Sequence, residues 1–153
     1  MSSISAVILG TGRAVPERVV TNADLEKMVD TSDEWIRTRT GVRERRVAEP
    51  EEPVSKYCVD AGRAALEAAG LDPMDIGLIV VATVTPDMPI PATACIVQEQ
   101  LGCRNATAFD MQAGCSGYIY AQSVAKQFVV SGRVRHALVI GAELLSKFVD
   151  WSD

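Results

Sequence analysis

Cys115 has the sequence surroundings best suited to covalent chemistry. It follows a short apolar run at residues 106–110, lies between Gly114 and Gly117, and precedes an apolar segment of helical length. Glycines permit a tight turn, and a helix start offers free N–H groups and a dipole that favour a thiolate. The pattern is typical of a nucleophile elbow that uses cysteine in place of serine. Spacing alone favours equally a small buried cysteine packed at a helix start.

The other candidate groups have weaker surroundings. Cys58, Cys95 and Cys103 lie in apolar helical patterns or beside a turn, and the four cysteines show neither disulfide-type nor metal-type spacing. The single histidine, His136, directly precedes a predicted strand, and nothing in the sequence brings it near Cys115. We therefore interpret these groups as structural, and we expect no metal.

A basic segment precedes the first long helix. It contains Arg37, Arg39, Arg43, Arg45 and Arg46, and Trp35 lies four residues before Arg39. Guanidinium groups form forked hydrogen bonds with phosphate, and an indole ring offers a flat surface for a purine. The segment could hold a nucleotide or an acidic protein partner. An ordinary solvated face with a core tryptophan is the more common outcome for such a composition.

The elements that must position these residues alternate between strand and helix. Short β-branched runs predict strands at residues 6–9, 77–83, 106–110 and 137–141. Helical spacing predicts helices at residues 54–69, 93–101 and 115–131. Thr21 and Asn22 are typical of a helix start, as are Thr31 and Glu34 at capping-box spacing. This order predicts an α/β layered fold with a largely parallel sheet. The helix after Cys115 is apolar nearly all round, so we expect a further covering layer.

Composition bounds the class of protein. The chain has 153 residues and a net charge of −5, which argues against a nucleic-acid-binding protein. Its apolar runs are too short to cross a bilayer, and residues 1–5 do not resemble a signal peptide. We expect a cytoplasmic protein that binds neither nucleic acid nor membrane.

Several stretches together resemble one family. They are residues 21–36 continuing into Arg39-Thr40-Gly41, residues 75–83, Phe109-Asp110, residues 113–117 and Gly141-Ala142-Glu143. In combination they are similar to the bacterial β-ketoacyl-acyl-carrier-protein synthase III, a condensing enzyme of thiolase fold. The resemblance implies an αβαβα layered fold built of two pseudo-repeated halves, of which residues 1–153 would be the amino-terminal half-domain. The carboxyl-terminal half, with the family's catalytic His and Asn, would lie outside this chain.

The resemblance also implies roles for individual residues. Cys115 would be the catalytic nucleophile that accepts an acyl group from acyl-CoA. Trp35 and Arg39 would sandwich the CoA adenine, with Thr31 as a neighbour in that site. The loop containing Ile90 would cross a homodimer interface and line the partner's acyl pocket. Because Ile90 is smaller than the aromatic residue of some relatives, it suggests room for a longer or branched primer.

The activity implied by the resemblance is the initiation of fatty acid biosynthesis. An acyl-CoA primer would condense with malonyl-acyl-carrier protein through an acyl-cysteine, with CoA thioester as a substrate and no separate cofactor. A thiolase-fold acyltransferase of secondary metabolism remains an alternative, as does a non-catalytic half that binds CoA or a carrier protein. A hydroxymethylglutaryl-CoA synthase is disfavoured, because residues 82–85 contain no acid where that family has a catalytic Glu.

Overall fold

The computed structural model describes residues 5–152 and divides them into two compact units. The first, which we call the sheet unit, comprises residues 5–14 and 53–143. The second, which we call the ribbon unit, comprises residues 15–52 and 144–152. The prediction of no signal peptide concerns residues 1–5, of which residues 1–4 lie outside the described part.

The sheet unit is built on three parallel strands. They are β3 (Ile76–Ala82), β4 (Thr107–Met111) and β5 (His136–Gly141), in the order β4-β3-β5. Val80 on the central strand pairs in register with Phe109 on one side and Val139 on the other. Six of the seven residues of β3 are buried, as expected for a parallel strand covered on both faces. The predicted parallel sheet is therefore confirmed, with strand bounds within one residue of prediction.

Three helices pack with this sheet. They are α3 (Val54–Ala69), α4 (Thr93–Leu101) and α5 (Gly117–Val130). Helix α3 ends at Gly70, whose φ of 64° is the left-handed conformation that glycine adopts without strain. The bounds predicted for α3 and α4 are confirmed. The predicted start of α5 at residue 115 is shifted, because Gly114–Ser116 form a separate 3-10 turn before the helix.

Helix α5 buries only its smallest residues. Gly117, Ala121 and Ala125 are buried, whereas Tyr118, Ile119 and Tyr120 are 43%, 60% and 55% exposed. Small side chains let the helix lie close to the sheet, while Phe128 packs against the sheet core and the three large residues at the helix start keep much of their surface exposed. The all-round apolarity predicted for α5 is thus present, and the layer expected to cover its outer side stays a prediction.

The predicted strand at residues 6–9 is wrong for this structure. These residues form no strand, and Val7, Ile8 and Leu9 are more than half exposed. A β-branched run becomes a strand only when a neighbour accepts its backbone hydrogen bonds, and no such pairing occurs among the described residues. The segment that includes Gly10 and Gly12 instead packs alongside α3. A Cβ on Gly12 would lie 2.1 Å from the Ala61 carbonyl oxygen, so this close approach requires glycine.

The ribbon unit contains a two-stranded antiparallel ribbon and two short helices. The elements are β1 (Val19–Thr21), α1 (Asn22–Leu25), α2 (Asp33–Thr40) and β2 (Glu44–Arg46). Thr21 caps α1 and forms a capping box with Asp24, which confirms the predicted helix start. The predicted cap at Thr31 is wrong by one residue. Ser32 is the N-cap of α2, because its Oγ, not that of Thr31, accepts a hydrogen bond from Trp35 N–H at 3.1 Å.

Candidate functional site

Cys115 lies in a tight turn that joins β4 to α5. The turn Gly114–Ser116 begins four residues after Asp110, and Ser116 N–H donates to the Ala113 carbonyl at 3.2 Å. Gly114 has a φ of +52°, a region that other residues rarely adopt. A Cβ on Gly117 would lie 3.2 Å from Ala82 Cβ, so the second glycine allows α5 to begin close to the central strand. Gly114 is thus favoured by its backbone conformation, and Gly117 by the tight space beside Ala82.

The Cys115 side chain is exposed, whereas two other cysteines are buried. Cys58 lies within α3, where burial raises the pKa of its thiol to about 12, with added repulsion from Asp87, Asp110 and Glu143. Burial likewise raises the pKa of Cys103, and Cys95 is half-buried. All four cysteines are unpaired. The alternative of a buried Cys115 is thus excluded for this structure, and the structural interpretation of Cys58 and Cys103 agrees with their burial.

His136 and Cys115 lie at opposite ends of the parallel strands, and so at opposite edges of the sheet. It is the first residue of β5, whereas Cys115 follows the carboxyl end of β4. Because these strands are parallel, the two edges are separated by the length of a strand, roughly 15–20 Å at about 3.3 Å per residue. His136 Nδ1 lies 3.3 Å from the Asp75 carbonyl oxygen. It is not positioned to act as a base for Cys115 within this unit.

The carboxyl edge of the sheet brings three segments together. Thr83 N–H donates to the Met111 carbonyl at 3.1 Å, and Ala142 N–H donates to the Ala82 carbonyl at 3.1 Å. The segments that follow β3, β4 and β5 therefore leave the sheet side by side. Ligands of parallel α/β sheets bind at this edge, and Cys115 is the nucleophile found there.

In the ribbon unit, Trp35 and Arg39 lie one helical turn apart on α2. The Arg39 guanidinium carbon is 4.4 Å from the centroid of the Trp35 ring, which is a cation–π contact. Trp35 is 52% exposed, which excludes a core tryptophan, and Thr31 is half-buried just before the helix. A base inserted between the two groups would need roughly 7 Å, twice the usual contact separation. A purine sandwich therefore requires Arg39 to move away from the indole.

The arginines of the predicted basic segment make different kinds of contact. Arg45 donates to the Val20 carbonyl at 3.1 Å, and Arg46 donates to the Pro16 carbonyl at 3.2 Å. Arg37 forms an ion pair with Asp33 at 3.0 Å. Arg39 instead stacks on an exposed ring. The structure therefore assigns Arg37, Arg45 and Arg46 contacts within the unit, and leaves Arg39 on the surface that could receive a base.

Asn22 is the buried polar centre of the ribbon unit, which sequence reasoning missed. Its side-chain amide donates to Asp33 Oδ1 at 2.8 Å and to the Val42 carbonyl at 2.9 Å. Its oxygen accepts from Arg45 Nη2 at 2.7 Å. Asn22 is 2% exposed, and these bonds tie β2 and the start of α2 to the start of α1. The sequence signal was a polar residue directly after the cap Thr21, which we had interpreted only as part of a helix start.

Two classes of site are not found in the described part of the chain. No three His, Cys, Asp or Glu side chains among residues 5–152 are grouped as a metal site would require. Nor does any helix within that range combine the length and apolarity needed to traverse a bilayer.

Comparison with known proteins identifies the class first. Residues 109–153 match the family model described as 3-oxoacyl-[acyl-carrier-protein] synthase III. The crystal structure of such a synthase from Aquifex aeolicus is 52% identical with a TM-score of 0.91, covering 95% of this chain and 47% of that one. A priming β-ketosynthase of the R1128 polyketide pathway is 42% identical with a TM-score of 0.92, covering 95% and 44%. The fold is therefore thiolase-like, and the α/β prediction is confirmed.

Sequence relatives point to the same enzyme. The β-ketoacyl-[acyl-carrier-protein] synthase III of Caldanaerobacter subterraneus is 59% identical over 150 residues, which is 98% of this chain and 45% of that protein. Over nearly its whole length the chain is therefore similar to β-ketoacyl-acyl-carrier-protein synthase III. It spans somewhat less than half the length of the curated relatives it matches, consistent with the predicted amino-terminal half.

Proposed function

We propose that this chain supplies the nucleophile half of a β-ketoacyl-acyl-carrier-protein synthase III. The enzyme would begin fatty acid biosynthesis by condensing an acyl-CoA primer with malonyl-acyl-carrier protein. The observation that carries the proposal is the exposed Cys115 in a glycine-bounded turn at the carboxyl edge of a parallel sheet. Identities above 50% to relatives of that name support the same function.

The first half-reaction would transfer the acyl group to Cys115. The thiolate attacks the thioester carbonyl, an S–C bond forms, and the tetrahedral oxyanion collapses with departure of CoA thiolate. The Cys115 N–H at the start of the helical segment is the natural donor to that oxyanion. Loss of one such donor typically costs about 3 kcal/mol of transition-state stabilisation.

The second half-reaction would form the carbon–carbon bond. Malonyl-acyl-carrier protein loses carbon dioxide, and the resulting enolate attacks the acyl-cysteine and releases the Cys115 thiolate. The resemblance assigns assistance in decarboxylation to His and Asn residues of the other half. No separate cofactor is needed for this chemistry, because the CoA thioester is itself a substrate.

The ribbon unit would bind the adenine of CoA. The exposed Trp35 ring would stack on one face of the adenine, and Arg39 would close over the other face of the adenine. Thr31 lies beside the start of α2. The Arg39 guanidinium carbon lies 4.4 Å from the centroid of the Trp35 ring, so an adenine ring would have to displace the guanidinium from that face. Homodimerisation and a cytoplasmic location complete the proposal as expectations drawn from the family.

Intact-mass measurement tests the proposed function. The protein should be prepared with a carboxyl-terminal half present and incubated with acetyl-CoA. We expect a mass gain of one acetyl group on Cys115, lost in Cys115→Ala and retained in Cys95→Ala, the matched control at a half-buried cysteine. An adduct that persists in Cys115→Ala would overturn the assignment. Binding of CoA without any adduct would favour a non-catalytic binding half.

A priming role in polyketide synthesis is the second candidate. The likeness to the R1128 priming ketosynthase, at 42% identity, favours it specifically, although the identity to the Aquifex aeolicus synthase is higher at 52%. Both candidates form the same acyl-cysteine. Condensation rates with the carrier protein of fatty acid synthesis and with a polyketide carrier protein would separate them.

A further inference from the structure

Asp110 joins the end of β4 to the start of α4. Its Oδ2 accepts a hydrogen bond from Thr93 N–H and its Oδ1 accepts one from Ala94 N–H, both at 2.7 Å. Ala92, the N-cap residue of α4, offers no side-chain hydrogen bond to the helix. The carboxylate that caps α4 therefore comes from a strand, 16 and 17 positions further along the chain.

These two hydrogen bonds are enclosed by the protein. Thr93 and Ala94 are both fully buried, so bulk water does not reach their N–H groups. A buried N–H that loses its partner costs free energy comparable to a lost hydrogen bond. The helix dipole also favours a negative charge at this position. The Asp110 carboxylate is therefore a strong link between the strand and the helix.

Helix α4 supports β4 along the length of the strand. Gln98 Nε2 donates to the Ala106 carbonyl at 2.7 Å, just before the strand begins. Cys95 Sγ lies 3.8 Å from the Ala108 carbonyl oxygen, in the first half of the strand. Among the described residues, β4 pairs with β3 alone. The helix is thus the second support of this strand, and the charge-assisted bonds of Asp110 are its strongest contact.

The end of β4 is the base of the turn that carries Cys115. Met111, the last residue of the strand, pairs with Ala82 of β3. A Cβ on Gly117, the first residue of α5, would lie 3.2 Å from Ala82 Cβ and 4.0 Å from the Met111 carbonyl oxygen. Residues 112–116 therefore leave and return to one place beside the end of β3. A shift of Met111 would move the turn with it.

The neighbouring strand ends are held by a different carboxylate. Glu143 follows β5, and its Oε1 accepts from Val84 N–H at 2.9 Å. Its Oε2 accepts from Thr85 Oγ1 at 2.7 Å and from Thr83 Oγ1 at 3.4 Å. These contacts hold the start of the loop that follows β3. Loss of the Asp110 carboxylate should therefore loosen the end of β4 and leave the ends of β3 and β5 in place.

We propose that Asp110 is a positioning residue for the acylation of Cys115. By bonding to the buried start of α4 it fixes the end of β4, and so fixes the turn that presents the Cys115 sulfur and N–H to a thioester. Attack on the thioester carbonyl requires both groups to be aligned, and misplacement by about 1 Å can cost about a hundredfold in rate. This inference rests on the proposed function, and deepens it by naming a residue that acts through the backbone.

The test compares Asp110→Ala with Asp110→Asn in protein that includes the carboxyl-terminal half. Asparagine keeps one acceptor oxygen, whereas alanine keeps none. Asp72→Ala is the matched control, because Asp72 Oδ1 accepts from Met74 N–H at 2.8 Å in the 3-10 turn before β3, at the opposite edge of the sheet. For each variant, acylation of Cys115 by acetyl-CoA is timed by intact mass, and alkylation of Cys115 by iodoacetamide is timed across a pH series.

The two reagents make different demands on Cys115. Alkylation requires an accessible thiolate, whereas acylation also requires alignment with the carbonyl and with the oxyanion donor. We expect Asp110→Ala to lower the acylation rate at saturating acetyl-CoA by about tenfold to a hundredfold, and to keep the alkylation rate and its pH profile within about twofold of wild type. Asp110→Asn should give an intermediate acylation rate, and Asp72→Ala should match wild type in both reactions.

Labelling of the buried Cys58 reports whether each variant stays folded. We expect it to stay slow in all three variants. If Asp110→Ala exposes Cys58 to rapid labelling, Asp110→Asn decides the question by the same two rates.

Contrary outcomes are distinct. An unchanged acylation rate in a folded Asp110 variant would overturn the positioning role. So would an equal loss in Asp72→Ala, which would indicate a general effect of stability. A shifted pH profile of alkylation that accounts for the whole change in acylation would indicate an effect of charge on the thiol, and would also overturn it. Absence of an acyl adduct on wild-type Cys115 would instead overturn the proposed function, and this inference with it.

Discussion

The two candidate functional regions are built by different physical means. In the sheet unit, Cys115 is placed by a parallel backbone ladder and an apolar core, with glycines where the chain must turn or approach closely. In the ribbon unit, Trp35 and Arg39 lie on an eight-residue helix whose start is held by side-chain hydrogen bonds to the buried Asn22. One region depends on packing and strand register, and the other depends on a few polar contacts.

This difference determines how the stability of each unit responds to pH and to substitution. The buried central strand β3 carries no ionisable side chain, so its backbone ladder should respond little to pH. A small unit with short strands of three residues has little apolar core, so its polar contacts carry more of its stability. Cys115 should therefore stay in place under conditions that loosen the proposed adenine-binding surface around Trp35 and Arg39.

Alkylation rates should separate Cys115 from Cys58 by more than about a thousandfold at pH 8. With a pKa of about 12, the buried Cys58 thiol is a thiolate in only about one molecule in ten thousand, and its burial adds a steric barrier. Exposed Cys115 should react first with iodoacetamide, as followed by peptide mapping. Cys103 serves as the control, since it is also buried with a raised pKa. Early labelling of Cys58 would show that the sheet unit opens readily.

Asn22→Ala should destabilise the ribbon unit by about 2–3 kcal/mol, because it removes a buried amide that hydrogen-bonds to Asp33, Val42 and Arg45. Hydrogen–deuterium exchange should rise across α1 and α2 and remain slow across β3.

Asn105→Ala is the matched control for Asn22→Ala. Asn105 also donates to a backbone carbonyl, that of Met74 at 2.9 Å, but at an exposed site of the sheet unit. We expect its effect to be below about 1 kcal/mol. Equal losses in the two variants would contradict the contrast between the units.

The sequence predicted the elements whose signals are local. The bounds of α3 and α4 follow from helical spacing closed by Gly70 and Gly102, and β3 follows from its uniform apolarity. The cap of α2 was misplaced because Thr31 and Ser32 are adjacent hydroxyl residues, and only the observed hydrogen bond distinguishes them. The run at residues 6–9 has strand composition, but pairing depends on a neighbour that local sequence does not specify.

The turn that holds Cys115 was predictable from local sequence, whereas the contacts that support the two candidate sites were not. The glycine pattern around Cys115 is local, whereas Glu143 meets its partners from 58 to 60 positions away, and Asn22 meets Val42 and Arg45 from 20 and 23 positions away. Contacts between residues so far apart in the chain leave no periodic pattern in the sequence. Glu143 belonged to a stretch that resembled the family, but resemblance alone gave it no role. The structure shows the hydrogen-bond partners through which Glu143 supports a loop and Asn22 supports a helix.

Arg39→Ala should weaken CoA binding about five- to thirtyfold, in line with the loss of roughly 1–2 kcal/mol of stacking on the base. Arg37→Ala is the matched control, because Arg37 pairs with Asp33 on the same helix. Trp35 fluorescence in a Trp151→Phe background reports binding, since the chain has two tryptophans. Equal weakening in both variants would indicate a general charge effect and would remove the specific role of Arg39.

Acid should loosen the ribbon unit before the sheet unit. The hydrogen bond from Asn22, followed by that from Arg37, holds the pKa of Asp33 below its usual value, and the Thr21 hydroxyl and N–H lower the pKa of Asp24 to about 2. A lowered carboxyl pKa contributes stability that is present above the unfolded pKa, near 4, and is lost as pH falls through the folded value. We expect hydrogen–deuterium exchange in α1 and α2, expressed relative to exchange in β3, to rise as pH falls from 5 to 2. The steepest rise should occur toward pH 2. Asp33→Asn should reduce this pH dependence, because the amide does not titrate. A parallel rise in β3 would mean that the two units unfold as one, and the contrast between polar and packed support would not hold.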